Sequence, residues 1–276
     1  MARWRSPDDI RFSHRLEALG IRLGVRRSVT VDNIRRARVT DDDSVTTVAH
    51  ETYRNMGRTF AEYARLPRTT EEELRARVRF EGLEHMTSAL ARGKGVVAVS
   101  GHFGSLELMA TAFKLIDARP TLLVAPMRNP LATRFFESHR SAYGVDVVEV
   151  GPKLREAFRV LRAGGLLCLA TDQDAGRHGV FVDFLGRPAS TASGAIELAM
   201  RTGAPLVFGL CFREGRDRHR AVIHPPVDVR ESGPRDAVIR EHLERIAGSL
   251  EDGIRERPDH WLWLHRRWKT RPVASD

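Results

Sequence analysis

Apolar residues recur along this chain in two alternating rhythms. Short unbroken runs, among them Val96-Val97-Ala98-Val99 and Leu166-Leu167-Cys168-Leu169-Ala170, have the length and composition of strands buried on both faces. Between them, apolar positions recur three and four apart, the period of an amphipathic helix. Val48, Thr52, Met56, Phe60 and Ala64 form one such stripe, started by Asp41-Asp42-Asp43-Ser44 and stopped near Leu66-Pro67. Helices are predicted over 70–78, 82–91, 106–116, 131–143, 153–162 and 190–201, and a long one over 235–254. Strands are predicted over 96–100, 121–125, 145–150 and 166–171. Residues 205–212 and 220–224 read as a strand pair around Glu214-Gly215-Arg216-Asp217. This alternation predicts an α/β fold with a mixed, mostly parallel sheet flanked by helices. No repeat or long linker interrupts it, so 41–276 reads as a single domain preceded by a basic arm over 1–40.

Within that scaffold the most informative stretch is Val96 to Met109, where a buried strand enters the turn Ser100-Gly101-His102-Phe103-Gly104-Ser105 and then a helix carrying Glu107. Chemistry in an open α/β sheet sits at the carboxyl ends of the strands, which is where this histidine falls. Gly101 and Gly104 allow the backbone to approach a substrate on either side of the imidazole. Ser105 or Gly104 is the expected cap of the helix, and Glu107 complements its positive end. A neutral imidazole accepts a proton from an attacking hydroxyl, and a carboxylate beside it fixes the tautomer and stabilises the imidazolium. The spacing argues against a metal pair, because five helical positions turn about 500° and separate the two side chains.

A second constellation, Thr171-Asp172-Gln173-Asp174-Ala175-Gly176-Arg177, follows the strand at 166–171 and belongs at the same edge of the sheet. It suits an Mg²⁺ site, a carboxylate orienting His102, a sugar contact, or an Asp-rich turn capping its own backbone. Near the carboxyl terminus, His260-Trp261-Leu262-Trp263-Leu264-His265-Arg266-Arg267-Trp268 interleaves tryptophan with arginine, as a nucleic-acid stacking platform or an interfacial lipid belt would.

The motifs together resemble one family. GHFGSLEL is similar to the H-x-x-x-x-[DE] block of glycerolipid and lipid A acyltransferases, in the form found in the lipid A late acyltransferase (HtrB/LpxL-like) family. The stretch 172–207, containing DQDAGR and FLGRP, resembles the same family, as do MGRTFAEYARLP and the terminal WLWLHRRWKTRP. The resemblance implies a glycerolipid-acyltransferase-like fold and transfer of a fatty acyl group from a thioester, acyl carrier protein or acyl-CoA, to a hydroxyl of a membrane glycolipid. A lipid A precursor is the first expectation for the acceptor, and a phosphatidylinositol mannoside or lysophospholipid the second. It implies no cofactor. His102 and Glu107 are the expected catalytic dyad, with Asp172 or Asp174 as a further carboxylate on His102 or an acceptor contact. Arg177 and Arg187 are placed near phosphate or pantetheine, because guanidinium grips phosphate bidentately. Arg266 and Arg267 join the expected substrate contacts. Arg128, in Ala125-Pro126-Met127-Arg128-Asn129-Pro130, stands off the position an arginine takes in relatives. N–H groups near 101–104, or an arginine, are the expected oxyanion donors.

Composition narrows the setting. The 45 Lys+Arg outweigh the 36 Asp+Glu, a formal charge of +9 that favours an anionic partner. No helix-turn-helix or RNP pattern supports nucleic acid. Cys168 and Cys211 lie in apolar runs and read as small core residues. The arginine-dense amino terminus has no apolar core of a secretory signal, and no run approaches the roughly 18 apolar residues of a membrane span. The family's usual hydrophobic anchor is thus not expected, and attachment to the cytoplasmic face of a bacterial inner membrane would be peripheral. Ile10, Phe12, Leu16, Leu19, Ile21 and Leu23 give the arm an amphipathic pattern, suited either to a membrane surface or to packing on the domain.

Overall fold

Among the described residues, seven strands hydrogen-bond into one sheet. The structure is a computed structural model and describes residues 25–126, 129–151, 153–229 and 233–273. The strands are β1 Val78–Glu81, β2 Val96–Ser100, β3 Pro120–Val124, β4 Asp146–Glu149, β5 Leu166–Ala170, β8 Leu206–Glu214 and β9 Arg218–Ile223, and they lie in the order β1-β9-β8-β2-β5-β3-β4. All neighbouring pairs are parallel except the β8–β9 hairpin, which turns through Gly215 at φ +74°. A second sheet is the antiparallel pair β6 Val180–Asp183 and β7 Pro188–Thr191.

The helices are α1 Arg27–Ala37, α2 Val45–Arg65, α3 Glu71–Arg77, α4 Leu83–Leu90, α5 Leu106–Ala112, α6 Pro130–Ala142, α7 Leu154–Arg162, α8 Gly194–Thr202 and α9 Arg235–Glu256. Alternation along each strand sends successive side chains to opposite faces. Val97, Val99 and Leu167 meet Leu161 of α7, Ile196 and Ala199 of α8, and Leu243 and Leu250 of α9 in one core. Val96, Leu166, Cys168 and Val207 meet Met86 of α4, Leu108 and Met109 of α5, and Phe113 in the other.

Several boundaries differ from the sequence expectation. β1 takes the last residue of the helix predicted over 70–78 and the unassigned 79–81, because Val78–Glu81 find a parallel partner in β9 more than a hundred positions away. α3 is closed at its start by a reciprocal capping box between Thr70 and Glu73. The predicted helix over 106–116 is α only to Ala112 and tightens to 3₁₀ over Phe113–Ile116. Ser105 stands at the N-cap of α5, but its hydroxyl makes no cap. The helix expected from 190 begins at Gly194, because 188–191 pair with β6.

In the amino-terminal arm, α1 packs on the domain: Ile34 is fully buried, and the Asn33 amide donates to the carbonyls of Trp263 and His265, each at 2.8 Å. The arm's apolar positions from Ile10 to Leu23 lie outside the described residues. Among the described residues, no helix is long and apolar enough to cross a membrane.

Candidate active site

β2 and β5 lie side by side in parallel with Ser100 opposite Ala170, so the chains leaving them carry His102 and Asp172 in matching positions just beyond the sheet. The helices that follow them pack on opposite faces, α5 on one and α8 on the other, which opens a crevice between the two loops.

Three contacts hold the His102 turn. The Phe103 N–H donates to the Gly101 carbonyl at 2.8 Å. The Gly104 N–H donates to the His260 carbonyl at 2.9 Å, and the Leu262 N–H to the His102 carbonyl at 3.0 Å, so the carboxyl-terminal segment runs antiparallel beside the turn. Gly104 has φ +57°, and a Cβ there would stand 1.8 Å from the Cys211 carbonyl oxygen. Only glycine fits.

Asp172 is the carboxylate on His102. Its Oδ1 lies 2.7 Å from His102 Nδ1, while its Oδ2 accepts the His102 backbone N–H at 2.8 Å and the Trp261 indole N–H at 2.7 Å. The carboxylate is 2 % exposed and the imidazole 37 %. Burial pulls the His102 pKa down, but the charge and hydrogen bond of Asp172 outweigh it and leave the ring above its ordinary value. Burial likewise pushes Asp172 up, and the facing imidazole with its hydrogen bonds brings it down to about 2. Asp172 thus anchors Nδ1, and Nε2 is left facing outward.

The expected His102–Glu107 dyad is corrected here. Glu107 is turned towards α6, where Arg140 Nη2 and Nε bind its carboxylate and the Tyr143 hydroxyl donates to it at 3.2 Å. Arg140 also lies 5.3 Å over the Phe136 ring. Glu107 reaches His102 only through its charge, which adds to the upward shift of the imidazole. The cause is positional: Nδ1 faces the loop of the neighbouring strand, whereas the first turn of α5 faces α6.

Both residues border a cavity of about 630 Å³ that runs from His102 between α5 and the sheet. The exposed Gln173 and the part-exposed His102 mark its mouth, Asn55, Thr59, Glu107 and Arg140 add polar groups to its lining, and the rest is largely apolar, with Ala98, Met109, Phe113, Leu122, Cys168 and Val207. Cys168 and Cys211 are free and buried as expected, and burial pushes each thiol up to about 12.

The other expected substrate contacts are dispersed. Gly104 borders the cavity, whereas Gly101 stands behind it, where a Cβ would crowd Leu250. The Asp174 carboxylate is buried and accepts the Gly176 N–H at 3.1 Å and the Thr270 hydroxyl at 3.0 Å, so it ties the loop to the chain end. Arg267 is 2 % exposed, donates to the Ser190 and Gln173 carbonyls and lies over Phe184, a structural placement that corrects its assignment to substrate. Arg266 is exposed, Arg177 is exposed in the 3₁₀ turn Gly176–His178, and Arg187 sits in the β6–β7 turn; none of these three lines the cavity. Arg128 lies outside the described residues. Of the expected backbone oxyanion donors, the N–H groups of His102, Phe103 and Gly104 already have acceptors in Asp172, Gly101 and His260.

The tryptophan tail is neither a stacking platform nor an exposed belt. Trp261 and Trp263 are 1 % and 0 % exposed, and Trp261 packs edge-on against Phe184 and Trp263. Sequence reasoning missed Trp261 as a partner of Asp172, although the unbroken apolar run over 261–264 is itself a strand-like signal. Arg140 near the end of α6 and Tyr143 just past it, remote from either motif, gave none.

The family model described as bacterial lipid A biosynthesis acyltransferase matches residues 39–270. A phosphatidylinositol mannoside acyltransferase of Mycobacterium tuberculosis is 30% identical over 221 residues, covering 77% of this chain and 67% of that protein. The lipid A biosynthesis palmitoleoyltransferase of Escherichia coli K12 is 26% identical over 228 residues, 82% of this chain and 72% of that one. The crystal structure of the 1-acyl-sn-glycerophosphate acyltransferase PlsC from Thermotoga maritima superposes with a TM-score of 0.44 at 16% identity, over 90% of this chain and 98% of that one.

Proposed function

The chain belongs to the bacterial lipid A biosynthesis acyltransferase family, and from that premise we propose that it moves a fatty acyl group from a thioester to a hydroxyl of a membrane glycolipid. The observation that carries this reading is the His102–Asp172 pair at the mouth of an apolar cavity. A base with a lone pair on Nε2 is what hydroxyl attack on a thioester requires, and an apolar recess beside it suits an alkyl chain.

In this mechanism Asp172 keeps the proton on Nδ1, so Nε2 takes the acceptor's hydroxyl proton as its oxygen attacks the thioester carbonyl. Asp172 stabilises the imidazolium, and the C–S bond breaks as the tetrahedral intermediate collapses. The departing thiolate recovers the proton from Nε2. No covalent acyl-enzyme is involved. Negative charge on the carbonyl oxygen falls to polar side chains of the cavity, since the N–H groups of His102, Phe103 and Gly104 are engaged. Glu107, held by Arg140, shapes the field around His102 without orienting its ring.

The acceptor we favour is a lipid A precursor, with acyl carrier protein or CoA carrying the donor. A phosphatidylinositol mannoside acceptor is the second reading, favoured by the identity to the mycobacterial enzyme. Phe60, which borders the cavity, and Phe135 on α6, whose ring lies by Tyr63, are both exposed. With the net charge of +9, they suit peripheral contact with the anionic cytoplasmic face of an inner membrane.

Product mass spectrometry tests the reading. Purified protein is incubated with long-chain acyl-CoA or acyl carrier protein and a panel of lipid A precursors, mannosylated phosphatidylinositols and lysophospholipids. One acceptor should gain one acyl mass, and His102→Ala should lower that rate by about 10³-fold. A His102→Ala protein that keeps most of the activity would remove the base from the mechanism.

A further inference from the structure

Between the buried carboxylates of Asp172 and Asp174, the side chain of Gln173 is the one held outwards. Asp172 is committed to His102 and Trp261, and Asp174 to Gly176 and Thr270. The main chain around Gln173 is pinned on both sides: its carbonyl accepts from Arg267 at 3.3 Å, and the next N–H donates to His265 Nε2 at 2.9 Å. The side chain is exposed, borders the cavity, and places its amide nitrogen 3.3 Å from His102 Nε2. Among the described residues, that is its one hydrogen-bond contact. Because Nδ1 sends its proton to Asp172, Nε2 carries the lone pair and the amide is the donor.

The amide therefore occupies the position that an acceptor hydroxyl must take to give up its proton. We propose that Gln173 is a gate on the base: it occupies Nε2 until the acceptor displaces it, and so suppresses hydrolysis of the bound thioester by water. This rests on the acyl-transfer reading above. A lipid acceptor brings binding energy from its remote parts and can use it to expel one neutral hydrogen bond, whereas water brings none. The displacement is sterically free, since an exposed side chain on a fixed backbone swings into solvent without moving the loop. When the gate is absent, water delivers its proton to Nε2, its oxygen bonds to the acyl carbon, the C–S bond breaks, and the products are free fatty acid and free thiol. The reaction is balanced with water as the sole co-reactant.

The test measures a ratio. Thiol release and lipid product are followed together for the wild type and Gln173→Ala, with palmitoyl-CoA as donor and the acceptor identified by the product screen. Loss of one hydrogen bond at the base should raise the ratio of hydrolysis to transfer by about tenfold. Gln173→Asn, which withdraws the amide by one methylene, should fall between the two and serves if the alanine variant folds poorly. The imidazole of His102 is titrated alongside by NMR. A donor on Nε2 favours the neutral ring, so Gln173→Ala should raise the His102 pKa further.

An unchanged ratio, or hydrolysis falling in step with transfer, overturns the gate, as does a His102 titration that does not move. Wild-type protein that releases thiol but acylates no acceptor overturns the acyl-transfer reading and the gate with it. Transfer by the wild type with an unchanged ratio in the variant overturns the gate alone.

Discussion

Two carboxylates approach the mouth of the cavity from different elements, and their surroundings could hardly differ more. Asp172 arrives on the loop after β5, is 2 % exposed, and spends both oxygens on His102 and Trp261. Glu107 arrives on the first turn of α5, paired with the Arg140 guanidinium and hydrogen-bonded by the Tyr143 hydroxyl. Both charges favour the protonated imidazole, but only Asp172 touches it. The comparison teaches that a carboxylate five positions from a histidine is less informative than one delivered by the adjacent strand. Strand register brings the second to hydrogen-bonding distance, and helix geometry turns the first away.

The sharpest way to break that comparison is Asp172→Asn, which removes the charge and keeps the size. Activity should fall by at least about 10²-fold, because the ring loses both its fixed tautomer and its counter-charge. The pH profile gives the sign independently. The base form is neutral His102, so wild-type kcat/KM rises with pH through a value above the ordinary histidine range. Without the Asp172 charge that pKa drops, and the rising limb should move to lower pH even as the plateau falls. A limb that stays in place would assign the upward shift to another group.

Glu107→Gln should cost less in rate, about tenfold, since it removes charge at a distance. It should cost more in stability, about 3 kcal/mol, by leaving the buried Arg140 without its partner. A thermal melt of Glu107→Gln beside the double variant Glu107→Gln/Arg140→Met separates the two effects, because the double variant should regain most of the melting temperature. If Glu107→Gln instead matched Asp172→Asn in rate, the two carboxylates would share the role that the geometry divides.

Trp261→Phe is the smallest perturbation. It keeps the ring in the core but removes one of the donors to Asp172 Oδ2. A loss of about 1 kcal/mol in stability and a several-fold loss in rate are expected, read by denaturant titration and steady-state kinetics.

Much of this architecture was legible beforehand. The apolar runs at 96–100 and 166–170 are strands, and the turn after the first presents a histidine because glycines flank it at 101 and 104. The local pattern could not tell that β2 and β5 are neighbours. Between Ser100 and Leu166 lie 65 residues, and the pairing of the two strands depends on how the whole sheet closes around them. The β6–β7 hairpin was missed for a related reason: its turn carries Leu185 at φ +53° beside Gly186, a conformation that local propensity does not favour for leucine. The arginines were over-read. A guanidinium in a motif suits phosphate and buried carbonyls equally well, and Arg267 serves the carbonyls of Ser190 and Gln173.

By itself the sequence determined the α/β alternation, the histidine at a strand's carboxyl end and the family, because periodicity, glycine placement and motif order are local properties of the chain. Tertiary structure alone decided which carboxylate meets the imidazole, that the tryptophan tail is a buried strap beside the His102 turn, and that an apolar cavity lies beneath α5. Each of these depends on contacts between residues far apart in the chain, and such contacts exist only once the sheet has brought them together.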